Sequence, residues 1–101
     1  MVPELNVATQ DDFLELVEQK DFRIAQAIIE SILNNLDTKK KNIHVLTVNC
    51  EEENAVFDIT VDTKFFALTL EENLPYYVKE ERYEECQKIV NAINQLKSKN
   101  N

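Results

Sequence analysis

His44 is the only imidazole in the chain, and Cys50 and Cys86 are its only thiols. A histidine and a cysteine can form a nucleophile–base pair when their side chains come within hydrogen-bond reach. His44 and Cys50 lie six residues apart in a run, Ile43 to Cys50, that reads as a strand, so about 20 Å separates them. Simple alternation puts His44 on one face with Leu46, Val48 and Cys50, as a satisfied and partly buried residue. Pairing His44 with Cys86 needs a tertiary contact that no motif specifies. Both cysteines read as reduced and partly buried.

Carboxylates are the second chemistry-bearing group. Glu51, Glu52 and Glu53 run together, and Asp58 and Asp62 follow closely. Such a cluster suits either a hard divalent cation or a negative tip that engages a basic partner. The spacing matches no EF-hand loop, which needs a central Gly and a late bidentate Glu. The plain alternative is a solvated turn whose charges keep two apolar strands from aggregating. Glu80, Glu81, Glu84 and Glu85 form a second acidic group, and Lys39, Lys40 and Lys41 the only basic run; both read as solvated surface. Tyr76, Tyr77 and Tyr83 lie close in sequence. Tyr77 and Tyr83 fall on apolar helical faces, which leaves Tyr76 as the exposed aromatic and a candidate interface anchor.

Composition narrows the function. The 101 residues carry 11 basic and 19 acidic side chains, a net charge of −8. That excess speaks against direct nucleic-acid binding and against an anionic membrane surface. Glycine is absent, which removes Gly-rich phosphate loops and the G-x-S-x-G nucleophile elbow. The longest wholly apolar run, Phe65 to Leu68, is far short of the about 20 residues of a membrane span. Met1 to Asn6 carry neither a basic start nor an apolar stretch, so no secretory leader and a cytoplasmic location are expected. No cofactor or metal is expected.

Periodicity supplies the elements that must position these groups. Thr9 and Asp12 form a capping-box pattern for a helix over 9–20, with Phe13, Leu16 and Val17 on its apolar stripe. A second helix follows over 21–36, where Phe22, Ala25, Ile29, Ile32 and Leu36 share a face. Residues 43–50 and 55–61 read as an antiparallel β-hairpin, with Asn54 able to take the positive φ of its turn. Residues 63–78 admit two readings. One is a helix capped by Asp62 or Thr63, against which Pro75 objects. The other is a third strand over 64–70 with a helix starting near Pro75. A last helix is predicted over 81–97.

A shift of 61 residues aligns the two helical segments without gaps. It pairs Phe13 with Leu74, Leu16 with Tyr77, Val17 with Val78, Phe22 with Tyr83 and Ile32 with Ile93, among others. The expected architecture is therefore α+β: two helical hairpins flank a central antiparallel β-hairpin, and one layer of sheet packs on the helices. All 101 residues form a single domain, with flexible ends over 1–8 and 98–101.

Residues 70–96 carry Leu70, Leu74, Tyr83-Glu84-Glu85, a small Cys86, Ile89, Ile93 and Leu96. In these positions the segment resembles the UVR-type helical hairpin of excision-repair nuclease subunits and Clp-chaperone partners. Where that family has Leu-Arg-Asp, this chain has Ile89-Val90-Asn91. The resemblance covers about a quarter of the chain and implies protein–protein contact, with no catalytic residues.

The sequence thus points to a non-catalytic interaction or regulatory module that meets a partner, one with a basic surface, through Glu51, Glu52, Glu53, Asp58, Asp62 and Tyr76. Two alternatives stand beside it. One is a DNA-mimicking inhibitor of the kind encoded by phages and mobile elements, and the other is a structural homodimer.

Overall fold

The computed structural model describes residues 2–99. Its elements are β1 (Glu4–Val7), α1 (Gln10–Glu18), α2 (Phe22–Leu33), β2 (Asn42–Cys50), β3 (Ala55–Asp62), α3 (Phe66–Lys79) and α4 (Tyr83–Lys99). The fold is α+β, with a single mixed sheet of order β1-β2-β3 packed against helices. The β2–β3 hairpin is antiparallel, and β1 adds to the far side of β2 in parallel, Leu5 opposite Val48 and Val7 opposite Cys50.

β1 lies where a flexible end is expected. Leu5 and Val7 alternate with Glu4 and Asn6, so one face enters the core while the other stays in water. The third strand is thus at the start of the chain, not over 64–70. There the helix reading holds: a short 3-10 turn, Thr63–Phe65, leads into α3. Phe66, Leu70 and Tyr77 are all buried, and they lie 4 and 7 residues apart, a helical spacing. Pro75 sits inside α3 on its exposed side. Its ring therefore meets solvent, and the carbonyl it leaves unpaired belongs to exposed Glu71.

Local capping explains where the helices begin and end. Thr9 Oγ1 accepts the Asp12 N–H, and the Asp12 carboxylate accepts the Thr9 N–H, both at 3.2 Å. Asp21 caps α2 by accepting the Arg23 N–H at 2.9 Å. The 61-residue repeat holds in the backbone. α1 closes with Lys20 N–H to Val17 O and Asp21 N–H to Leu16 O; α3 closes with Glu81 N–H to Val78 O and Arg82 N–H to Tyr77 O. Lys20 and Glu81 both have φ of 58°, the left-handed position that usually takes glycine after a helix. Each break starts the next helix at an aromatic, Phe22 or Tyr83.

One continuous core holds these elements together. α2 lies on β2, α3 packs along α2, and α4 packs along α3. Ile29, Ile32, Val45, Val48, Phe66, Leu70, Tyr77 and Ile89 are almost wholly buried. Phe13 of α1 meets Phe57 of β3 edge-on at 5.5 Å, and Phe22 of α2 meets Tyr77 of α3 at 4.9 Å. The hairpin carries one irregularity. His44 pairs with Thr60 and Leu46 with Ile59, so Val45 is an extra residue in β2. Val45 and Leu46 both enter the core, and the alternation resumes one step out of phase.

Candidate interaction surface

The bulge at Val45 decides the fate of His44. It moves His44 away from Leu46, Val48 and Cys50 and onto the solvent face of the sheet, opposite to simple alternation. There Nε2 lies 2.9 Å from Thr47 Oγ1, 3.2 Å from Asp58 Oδ1 and 3.1 Å from the Leu46 carbonyl. A proton relay needs the carboxylate on one ring nitrogen and the nucleophile on the other. Here one nitrogen meets all three groups, and the cluster stitches β2 to β3. Cys50 is buried on the opposite face. Burial pushes its thiol pKa up, with Glu53 and Asp12 adding to the shift, so it is held away from the nucleophilic thiolate. Both cysteines are free. No group of three His, Cys, Asp or Glu side chains among the described residues is placed to hold a metal ion.

The six residues read as an interaction site are divided among different places. Glu51, Glu52 and Glu53 form a 3-10 turn at one end of the hairpin, and Asn54 follows at φ 49°. Glu53 is already engaged, because its carboxylate accepts the Gln10 N–H at 2.7 Å and so caps α1 from outside. The Glu52 N–H bonds the Ala8 carbonyl, which fixes the turn beside the start of α1. Asp58 stands mid-strand with His44 and Thr47. Asp62 ends β3, about 23 Å from the turn, where it accepts the Lys64 N–H and caps the next turn. Tyr76 is half-buried on α3, in a groove shared with Val17, Lys20, Ile24 and Ile28.

Other residues form the outward surface instead. On α1, Leu14 and Val17 are 50% and 47% exposed, a helical turn apart. Val17 leaves the stripe on which the sequence puts it, while Phe13 and Leu16 stay with the core. Asp11, Glu15 and Glu18 flank the pair and are exposed. Val17 continues into the groove that holds Tyr76, so the ridge and that tyrosine form one patch. Tyr83 is the more exposed aromatic, at 62% rather than in the core, because α4 buries Ile89, Ala92 and Ile93 and leaves its first turn outside. Half-exposed Val17 has an echo in Val78, its repeat partner, at 48%. No signal in the sequence marks the first apolar stripe as only partly core.

Basic side chains gather at one end of the sheet. Lys39, Lys40, Lys41, Lys64, Lys97 and Lys99, six of the eleven bases, gather where the loop before β2, the turn after β3 and the end of α4 meet. The Thr63 N–H bonds the Lys41 carbonyl, and its hydroxyl bonds that of Lys40, which pins the lysine loop there. Lys97 pairs with Glu71 and Lys99 with Asp37. The opposite end carries Asp11, Asp12 and the 51–53 turn.

Behind the ridge, Arg82 lies over the Phe22 and Tyr77 rings, 5.0 and 5.6 Å from their centroids. It holds Glu85 by two contacts of 2.8 and 2.7 Å. The Tyr77 hydroxyl is buried with no hydrogen-bond partner among the described residues. Burial, with Glu30 and Glu85 nearby, pushes its pKa up to about 12. No helix among the described residues is long and apolar enough to cross a membrane. A search of protein families, curated proteins and solved structures finds no match to this chain. Residues 70–96 fall on the packed helix pair α3 and α4.

Proposed function

We propose that the protein is a non-catalytic docking module that binds a basic, amphipathic segment of another protein on the outer face of α1. The observation that carries this reading is the pair Leu14 and Val17, half exposed and standing among Asp11, Glu15 and Glu18. Apolar contact surrounded by charge is the anatomy of a protein interface. Burying the exposed halves of two aliphatic side chains contributes on the order of 1–2 kcal/mol. The groove beside Val17 adds room for one partner side chain against Tyr76. The acids contribute orientation and association rate more than affinity, and Glu51 and Glu52 extend their field. Two free cysteines fit a cytoplasmic setting.

The test is capture of a partner by wild type and by the double variant Leu14→Ser, Val17→Ser. Both side chains are half exposed, so the variant is expected to fold. Affinity is expected to fall about tenfold or more, in line with losing a buried apolar contact. Equal binding by both proteins would reject this surface.

A further inference from the structure

We propose that β3 is the pairing edge of a symmetric homodimer, in which two copies join β3 to β3 in antiparallel fashion and make one six-stranded sheet. This goes beyond the docking reading: it uses the free edge of the sheet instead of the outer face of α1, and shares with that reading only Glu51 and Glu52. β3 is hydrogen-bonded to β2 on one side only, and no other element packs extensively on it. It is eight residues long, with no proline or lysine to block its free edge. The other edge, β1, has four residues and Pro3 before it. Phe57, Ile59 and Val61 face the core side of β3 yet remain only partly buried. Added strands from a second copy would complete that burial.

Charge selects the occupant. At the start of β3 stand Glu51 and Glu52; at its end Asp62 is outnumbered by Lys64, Lys41 and Lys40, the last two held there by Thr63. Antiparallel pairing about a two-fold axis puts the acidic end of each copy beside the basic end of the other, twice per dimer. A parallel arrangement would set like against like. The side chains also select the register. Opposed residues must share a face, so the axis passes through a residue pair. An axis at Asp58 opposes two aspartates, and an axis at Thr60 opposes Asp58 to Asp62 of the second copy. An axis at Ile59 avoids both. It sets Phe57 against Val61 on the core face, a favourable aromatic with β-branched pair, and Asp58 against Thr60 on the outer face, with no like charges opposed.

Sedimentation velocity over a range of protein and salt concentrations tests the assembly. At low salt the expected mass is twice the 11.8 kDa of the chain, with dissociation favoured as salt rises. Glu51→Lys with Glu52→Lys should weaken the dimer about tenfold or more. Mixing that variant with Lys40→Glu, Lys41→Glu should restore a dimer of one copy of each. Isotope-filtered NMR on a mixture of labelled and unlabelled wild-type chains needs no substitution and should show Phe57 against Val61 of the other copy. The Leu14→Ser, Val17→Ser variant should dimerise unchanged, which separates this proposal from the docking surface. A monomer at every concentration, no rescue on mixing, or intermolecular contacts away from β3 would overturn it.

Discussion

Tyr77 shows how one buried atom sets a measurable property. Its hydroxyl has no partner among the described residues, and a buried unsatisfied donor costs about 1–3 kcal/mol. Tyr77→Phe keeps the ring against Phe22 and Arg82 and removes that cost. The variant is expected to be at least as stable as wild type in denaturant unfolding; a loss above about 1 kcal/mol would mean that the hydroxyl has a partner. The same residue links folding to pH. Its pKa is raised in the folded chain, so the stabilisation is complete below about pH 10, the ordinary tyrosine value, and is lost as pH rises toward about 12. In Tyr77→Phe that alkaline loss should be smaller. Asp21 works with the opposite sign. Its hydrogen bond from the Arg23 side chain lowers the carboxyl pKa, so its contribution is present at neutral pH and fades as pH falls below about 4. Asp21→Ala should cost about 1 kcal/mol, mainly through the lost cap on α2, and the deficit should shrink in acid.

Helix breaks and strand phase belong to the next scale. Lys20 and Glu81 hold the left-handed position that ends α1 and α3, in a chain with no glycine at all. A side chain there costs about 1 kcal/mol relative to glycine. Lys20→Gly and Glu81→Gly are each expected to raise the melting temperature by a few degrees, and a lowered value would mean that these side chains hold the breaks through contacts. The repeat was legible in sequence because each helix pair writes its own 3.6-residue period. The α1 capping box and the β2–β3 hairpin were legible for the same reason: their signals are local. β1 was not, since four alternating residues carry little pattern and their parallel partner lies some forty residues away. The bulge was not legible either. Val45 looks like any strand valine, and only the pairing with β3 shows that it is the extra residue that turns His44 outward.

At the scale of the whole molecule, the sequence announced a net negative charge but not its distribution. The fold gathers most lysines at one end, and it spends Glu53 and Asp62 on capping turns. Near the apolar ridge of α1 the exposed acids are Asp11, Glu15 and Glu18, with Glu51 and Glu52 in the turn beside the start of that helix. Tyr76, half-buried, joins that ridge through the groove at Val17, and the exposed tyrosine is Tyr83 instead. Leu14 and Val17 were not legible as surface, because a helix stripe read alone does not say how much of it the rest of the chain covers. The central claim is that this ridge is where a partner docks. Quantitative capture of binding proteins, run in parallel on wild type and on Leu14→Ser, Val17→Ser and washed at low and then high salt, tests it most directly. The expected result is a partner that wild type retains at low salt and releases at high salt, and that the variant fails to hold. The same partners in equal amounts on both proteins would contradict it.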